Sequence, residues 1–175
     1  SLHDALPIYP NNGSFDLPIL MSNDLNTAEN VVIGHLIIPV KVTKPKLETT
    51  SLSTTIDEGF TEEQLKVSGT LPITITYSIP SNKFSELFPN ETASEAEAMA
   101  TKLGLEIKAV TKDDAEKDVA YLEVSSAENP DERVALNKFP IDVLMTAPDG
   151  SEVNGKFTVT VKGAKAEFVN PQRTV

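Results

Sequence analysis

The sequence predicts a mainly β protein, an antiparallel β-sandwich of seven to nine strands with one short packed α-helix near 93–103. Several segments alternate apolar and polar residues with the period of two that a half-buried strand requires. Short segments rich in Gly, Pro, Asn and Asp separate these strands. Strands joined by short turns, with a single helical segment, are typical of a sandwich or barrel rather than of a βαβ array.

The first strand signals lie in 9–43. Residues 9–30 are rich in Asn, Pro and Ser and predict an irregular lead-in with one short strand at 15–20. Residues 31–43 predict a long strand that is apolar on both faces at its start. Pro39 cannot donate a backbone hydrogen bond, which favours an edge position or a bulge. We therefore expect 31–43 to offer an edge that a protein partner or another copy completes by adding a strand.

The middle of the chain contains the clearest strand. Residues 47–56 are rich in Thr and Ser and predict a strand with a polar face, and Thr61 and Gln64 have the spacing of a capping box and predict one helical turn. Residues 71–79 then alternate strictly, which predicts apolar residues inside the protein and hydroxyl groups outside.

One segment has the spacing of a helix. Thr92 and Glu95 stand at capping-box spacing, and the small apolar residues that follow form one stripe up to Leu103. Gly104 then occupies the position where a left-handed residue commonly ends a helix. We expect this helix to pack closely against a sheet.

The last third of the chain returns to strands. Alternation predicts strands at 105–109, 119–124, 139–145 and 157–161. The last two are predicted to form a hairpin in which Asp149-Gly150 and Asn154-Gly155 supply positive φ angles. Gly163 is predicted to interrupt the final strand before it continues.

The domain organisation is affected by the first eight residues. Residues 1–8 resemble a translated sequencing adapter, so we expect a metagenomic fragment and exclude this segment from the fold. No internal repeat of fixed period is visible. The sequence therefore predicts a single β-sandwich domain over 31–169, preceded by the lead-in at 9–30 and followed by a tail at 170–175. A split near 80–90 is the alternative.

The composition excludes several classes of protein. The formal net charge of −11 repels phosphate backbones, so we expect no nucleic-acid partner. The chain contains no cysteine, which excludes disulfides, thiolate nucleophiles and zinc-thiolate sites. No stretch approaches the ~20 apolar residues that span a bilayer.

Catalytic motifs are scarce. Outside 1–8, His35 is the one histidine, which excludes two-histidine metal sites, and no Gly-x-Ser-x-Gly segment accompanies it. Phosphate-binding glycine loops are absent from the sequence. We therefore predict that the chain is not an enzyme and needs no cofactor.

Carboxylates offer the remaining chemistry. Asp113, Asp114 and Asp118 supply closely spaced oxygens that are candidates for calcium ligands. A second acidic segment lies at 128–132. The same carboxylates suggest a hydrolase that acts through paired carboxylates, but no tryptophan is present to stack against a sugar.

The strand Gly155-Lys156-Phe157-Thr158-Val159-Thr160-Val161-Lys162 resembles the closing strand of bacterial immunoglobulin-like modules. This resemblance implies a sandwich used for display or adhesion. The cysteine pair and core tryptophan of immunoglobulin domains are absent, and the predicted helix is an insertion relative to those modules.

Three functions follow as expectations. The first is a non-catalytic structural or adhesive module of a bacterial surface or matrix protein, located outside the cell. The second is a virion structural protein of a phage, such as a tail or capsid-decoration subunit. The third is a carboxylate-based hydrolase.

Overall fold

A computed structural model describes the backbone of residues 13–22 and 30–163 and the side chains of residues 41–163. Within these residues the strands are β1 (Gly13–Ser22), β2 (Asn30–Val40), β3 (Lys46–Leu47), β4 (Ser51–Thr55), β5 (Glu63–Ser68), β6 (Thr74–Ser78), β7 (Leu105–Lys112), β8 (Asp118–Ser126), β9 (Leu136–Thr146) and β10 (Glu152–Lys162). The helices are α1 (Ser81–Leu87) and α2 (Ala96–Lys102), and a 3₁₀ turn spans Pro130–Glu132.

Eight of these strands form a β-sandwich, which confirms the predicted fold class. One sheet has the order β4-β10-β9-β6 and the other the order β3-β5-β8-β7. An immunoglobulin-type sandwich has strands one, two, five and four in one sheet and strands three, six and seven in the other. If β4 is counted as an additional edge strand, β3, β5, β8 and β7 correspond to strands one, two, five and four. Strands β6, β9 and β10 then correspond to strands three, six and seven. Within the sandwich, β4 pairs parallel to β10, and every other pair is antiparallel.

The core lies between the inner faces of the two sheets. Alternate residues of β9 and β10, such as Ile141 and Phe157, are fully buried. Leu65 of β5 and Leu122 of β8 are equally buried on the opposing sheet. Among the side chains of 41–163, no polar or charged residue is buried. The period of two in the sequence therefore separates the core from the surface as predicted.

The two helices lie in the connection from β6 to β7, where the chain passes from one sheet to the other. Helix α2 confirms the helix predicted near 93–103, with Met99 and Ala100 buried. The predicted capping box does not form, because the helix begins at Ala96 and Glu95 itself occupies the N-cap without a side-chain hydrogen bond. The sequence prediction missed α1, whose one buried residue, Phe84, gives no apolar stripe.

Two local predictions are wrong. The helical turn predicted at Thr61 and Gln64 is replaced by the start of β5, with Glu62 at φ 49°. The pairing of β5 with the buried strand β8 outweighs the local capping signal. Gly155 lies inside β10 without a positive φ, whereas Gly150 has the predicted left-handed conformation at φ 80°.

The remaining two strands form a separate antiparallel sheet. β1 pairs with β2, and the short strand predicted at 15–20 lies within the longer β1. Within the described residues, neither strand pairs with the sandwich. Among the described residues β2 pairs with β1 alone, and the completion of its other side by a partner stays a prediction. Residues 164–169, where a continuation of the last strand was predicted, lie outside the described residues.

Neither described helix has the length and apolar character needed to cross a bilayer.

The junction between α2 and β7 provides a test of the fold. Gly104 has φ +72°, and a Cβ there would lie 2.5 Å from the carbonyl oxygen of Glu132. Gly150 has a similar φ of +80°, but a Cβ there would meet nothing within 4 Å. We expect Gly104→Ala to lower the free energy of unfolding by about 3 kcal/mol, and Gly150→Ala by about 1 kcal/mol, the cost of the left-handed conformation alone. Urea unfolding of both variants measures the difference, and equal losses would contradict the close packing at Gly104.

Candidate functional site

The outer face of the β4-β10-β9-β6 sheet is rich in hydroxyl groups. We call it the hydroxyl face; its hydroxyl-bearing residues are Ser51, Ser53, Thr74, Thr76, Ser78, Thr146, Thr158 and Thr160. All of these residues are exposed or half-buried. Their positions follow from the strand period, because each precedes or follows a residue that points into the core. Apart from the strand ends, the charges on this face are those of Asp142 and Lys156, whose carboxylate and ammonium groups lie 3.9 Å apart.

A shallow depression lies at the centre of the hydroxyl face. The register aligns Thr76 of β6, Leu144 of β9 and Asn154 of β10 in one row across the sheet. Leu144 is half-buried, and the outward-facing Ser78 and Asp142 also line the depression. An apolar centre surrounded mainly by hydroxyl and amide groups, which both donate and accept hydrogen bonds, has the anatomy of a protein-contact surface.

The outer face of the other sheet has a different character. It bears Lys66 on β5, Glu106 and Lys108 on β7, and Glu123 and the half-buried Tyr121 on β8. The carboxylate of Glu106 and the ammonium group of Lys108 lie 2.8 Å apart, and this hydrogen bond raises the pKa of Lys108. Charged side chains are depleted from the centres of protein interfaces. Of the two faces, the hydroxyl face is therefore the better candidate for contact with a protein.

Tyr77 lies where the sandwich meets α2. Its side chain is half-buried and shares a depression of about 360 Å³ with Glu97 and Thr101 of α2. Burial raises the pKa of Tyr77 above its ordinary value of 10.0, and the negative charge of Glu97 raises it further. Tyr77 therefore favours its neutral form at neutral pH.

The predicted calcium ligands lie in the turn between β7 and β8. The Asp113 carboxylate accepts hydrogen bonds from the backbone N–H groups of Ala115, at 2.9 Å, and Lys117, at 2.8 Å. The Asp118 carboxylate forms an ion pair with the ammonium group of Lys112, at 2.5 Å. Two of the three candidates thus stabilise the turn itself, and the third, Asp114, is exposed within it. In the described part of the chain, no three carboxylate or histidine groups cluster as a metal site would need.

The second acidic segment surrounds an arginine that the sequence analysis did not identify. The guanidinium group of Arg133 donates hydrogen bonds to four carbonyl oxygens, those of Ile56, Asp57, Ala127 and Glu128, over 2.6–3.1 Å. These bonds join the loop after β4 to the loop after β8. Arg133 is therefore committed to holding two loops together.

Arg133 also explains a neighbouring glycine. A Cβ on Gly59 would lie 2.7 Å from the guanidinium carbon of Arg133, so the glycine leaves room for the arginine side chain. The sequence gives only a weak signal for the hydrogen bonds of Arg133, because their acceptors are backbone carbonyl groups, which residues of every type possess.

His35 lies in β2, where the backbone register places it opposite Pro18. Its side chain lies outside the described residues, as does His3.

Comparisons with known proteins give little. No protein-family profile matches the chain, and no curated protein matches it. Among solved structures, the chain is similar to the BIgI domain of the beta protein from S. agalactiae, which was solved bound to CEACAM1. The similarity covers 70% of this chain and all of that domain, at 14% sequence identity and a TM-score of 0.37. The fold assignment therefore rests on the strand order described above.

The burial of Tyr77 predicts a pH dependence. A tyrosine whose pKa is raised by folding stabilises the fold below its unfolded pKa, and this contribution is lost as the pH rises through the folded pKa. We expect the thermal midpoint of the wild type to fall above about pH 10 more steeply than that of Tyr77→Phe. Parallel slopes for the two proteins would show that Tyr77 is free to ionise in the folded state.

The calcium prediction has a direct test. A ligand that binds only the folded state raises the midpoint of unfolding, so a calcium site would separate samples in calcium from samples in chelator. Because Asp113 and Asp118 are engaged within the turn, we expect equal midpoints by calorimetry. A rise of several degrees in calcium that Asp114→Asn abolishes would instead establish the site.

Proposed function

We propose that this chain is a non-catalytic structural or adhesive module of a bacterial surface or matrix protein, and that it acts through contact with another protein. The observation that carries the proposal is the difference in residue type between the interior and the surface. Every buried side chain within 41–163 is apolar, and the ionisable groups lie outside the core. Enzyme sites commonly use buried ionisable groups with strongly shifted pKa values. Here the interior serves packing, which leaves recognition to the surface.

The hydroxyl face is the surface that we assign to this contact. Its centre, Leu144, can be covered by a partner without removing an isolated charge from water. The surrounding hydroxyl and amide groups can exchange hydrogen bonds with water for hydrogen bonds with a partner at small net cost. The Asp142–Lys156 pair lies beside this centre and can orient the partner.

The extracellular assignment is supported by composition. Strands rich in Thr, Ser and Val, a net charge of −11 and the lack of cysteine suit a soluble surface that functions without disulfides. The alternative is a virion subunit. It is favoured by the side of β2 that pairs with no other described strand, since an open strand edge can join one subunit to the next.

Sedimentation velocity on the purified chain at micromolar concentration separates these two functions. A surface module is expected to sediment as a monomer or at most a dimer, whereas a virion subunit is expected to form closed rings or tubes. Leu144→Arg tests the hydroxyl face, because a charged group at its centre would break any assembly formed there. Tyr121→Arg, a matched change on the opposite face, is the control. Rings that Leu144→Arg dissolves and Tyr121→Arg leaves intact would overturn the surface-module proposal.

A further inference from the structure

The hairpin formed by β1 and β2 repeats the sequence of the hairpin formed by β9 and β10. In the first strand, Ser-Phe-Asp-Leu-Pro-Ile-Leu-Met-Ser at 14–22 corresponds to Lys-Phe-Pro-Ile-Asp-Val-Leu-Met-Thr at 138–146. The Phe and the Leu-Met pair are identical at matching positions. Leu17 and Ile19 of the first hairpin correspond to Ile141 and Val143 of the second, so the alternation of apolar residues is the same in both.

The second strands correspond in the same way. Val-Ile-Gly-His-Leu-Ile-Ile-Pro-Val-Lys at 32–41 matches Val-Asn-Gly-Lys-Phe-Thr-Val-Thr-Val-Lys at 153–162. The first Val, the Gly, the last Val and the final Lys are identical. The loops between the strands differ in length, so the two strands of the repeat are not separated from their equivalents by one fixed period.

The backbone pairing of the two hairpins is the same over five consecutive pairs, at 15–19 in the first hairpin and 139–143 in the second. Phe15, Leu17 and Ile19 pair with Ile38, Leu36 and Gly34. The corresponding residues Phe139, Ile141 and Val143 pair with Val159, Phe157 and Gly155. Outside this stretch the hairpins differ, because the register shifts between Ile19 and Leu20 in the first and between Val159 and Val161 in the second. The shared sequence and the shared register over these five pairs are the basis for treating the two hairpins as equivalent.

In β9 and β10 these residues form the inner face of the sandwich. Phe139, Ile141, Val143, Phe157 and Val159 are all buried. The register places the equivalent residues of β1 and β2 together on one face of a hairpin. A two-stranded hairpin is marginally stable in water and needs a further sheet to cover an apolar face.

We propose that β1 and β2 are the closing hairpin of a preceding module of the same fold, so that this protein contains at least two such sandwiches in tandem. The occupant of the free edges follows from the equivalent positions. β9 takes β6 as an antiparallel neighbour, and β10 takes β4 as a parallel neighbour. β1 therefore takes the strand of the preceding module that is equivalent to β6, and β2 takes the strand equivalent to β4 as a parallel neighbour.

The segment that leaves each hairpin supports this assignment. Lys41, Lys44 and Leu47, which come after β2, have the same spacing in the sequence as Lys162, the last residue of β10, Lys165 and Phe168. Leu47 belongs to β3 and is buried in the sandwich. Residues 41–45 are thus the linker that joins the preceding module to this one. The proposal concerns how modules are joined and holds whether or not the hydroxyl face binds a partner.

Matched substitutions in the full chain test whether the hairpin belongs to the described sandwich. Leu17 and Ile141 occupy equivalent positions. We expect Ile141→Ala to lower the thermal midpoint of the sandwich by about 10 °C, because it leaves a cavity in the core. We expect Leu17→Ala to leave that midpoint unchanged. Ile141→Val provides a milder variant in case the first does not fold. A loss caused by Leu17→Ala as large as that caused by Ile141→Ala would overturn the proposal.

A second experiment adds the strands that the proposal places ahead of β1. Residues 46–136 of this chain are duplicated and joined ahead of Gly13, so that β1 and β2 follow a complete set of the earlier strands of a sandwich. Amide hydrogen exchange of β1 and β2 is then compared with that in the original chain. We expect exchange to slow by at least about a hundredfold, and Leu17→Asp in the extended chain to reverse this protection. Equal exchange in the original and extended chains would overturn the proposal.

The gene itself offers a third measurement that does not depend on folding. Sequencing upstream of residue 9 in the source DNA is expected to show an open reading frame with alternating strands that match β3 to β8. A start codon with a leader immediately upstream would overturn the proposal, and it would leave the function proposed for the hydroxyl face intact.

Discussion

The contact between the inner faces of the two four-stranded sheets is the constraint on which the rest of the molecule depends. Ile141 and Phe157 on one side and Leu65 and Leu122 on the other are removed from water. Because no polar side chain within 41–163 is buried among them, backbone polar groups must be satisfied within the sheets or at the loops. Arg133 satisfies four of these backbone groups, because its guanidinium group binds four carbonyl oxygens at the ends of strands. Gly104 lets the chain turn from α2 into β7 close to the carbonyl group of Glu132.

The parts of this fold that the sequence predicted are those governed by the same contact. Alternation with a period of two placed β6, β8, β9 and β10 correctly, because a strand with one buried face must repeat in this way. The hairpin at Gly150 and the helix ending at Gly104 were predicted from backbone conformations that favour glycine. These signals are local, so a single sequence carries them in full.

The features that could not be predicted depend on contacts between distant residues. Helix α1 buries only Phe84, and the start of β5 is decided by its pairing with β8, so neither has a local signature. Arg133 binds backbone carbonyls, which every residue possesses. The hydroxyl face was predictable in part, since the outward hydroxyls of β6 were evident, but the row formed by Thr76, Leu144 and Asn154 required the register of three strands.

The parallel pairing of β4 with β10 determines how the sandwich responds to force. The first long strand of the sandwich and its last strand run side by side in the same direction, with Ser51 beside Thr158 and Thr55 beside Lys162. Tension that enters through the linker before β3 and leaves after β10 pulls these two strands in opposite directions along their length. Their hydrogen bonds are then loaded together in shear, rather than broken one after another as in an unzipping hairpin. This arrangement resists extension of the chain when tension is applied through these two ends.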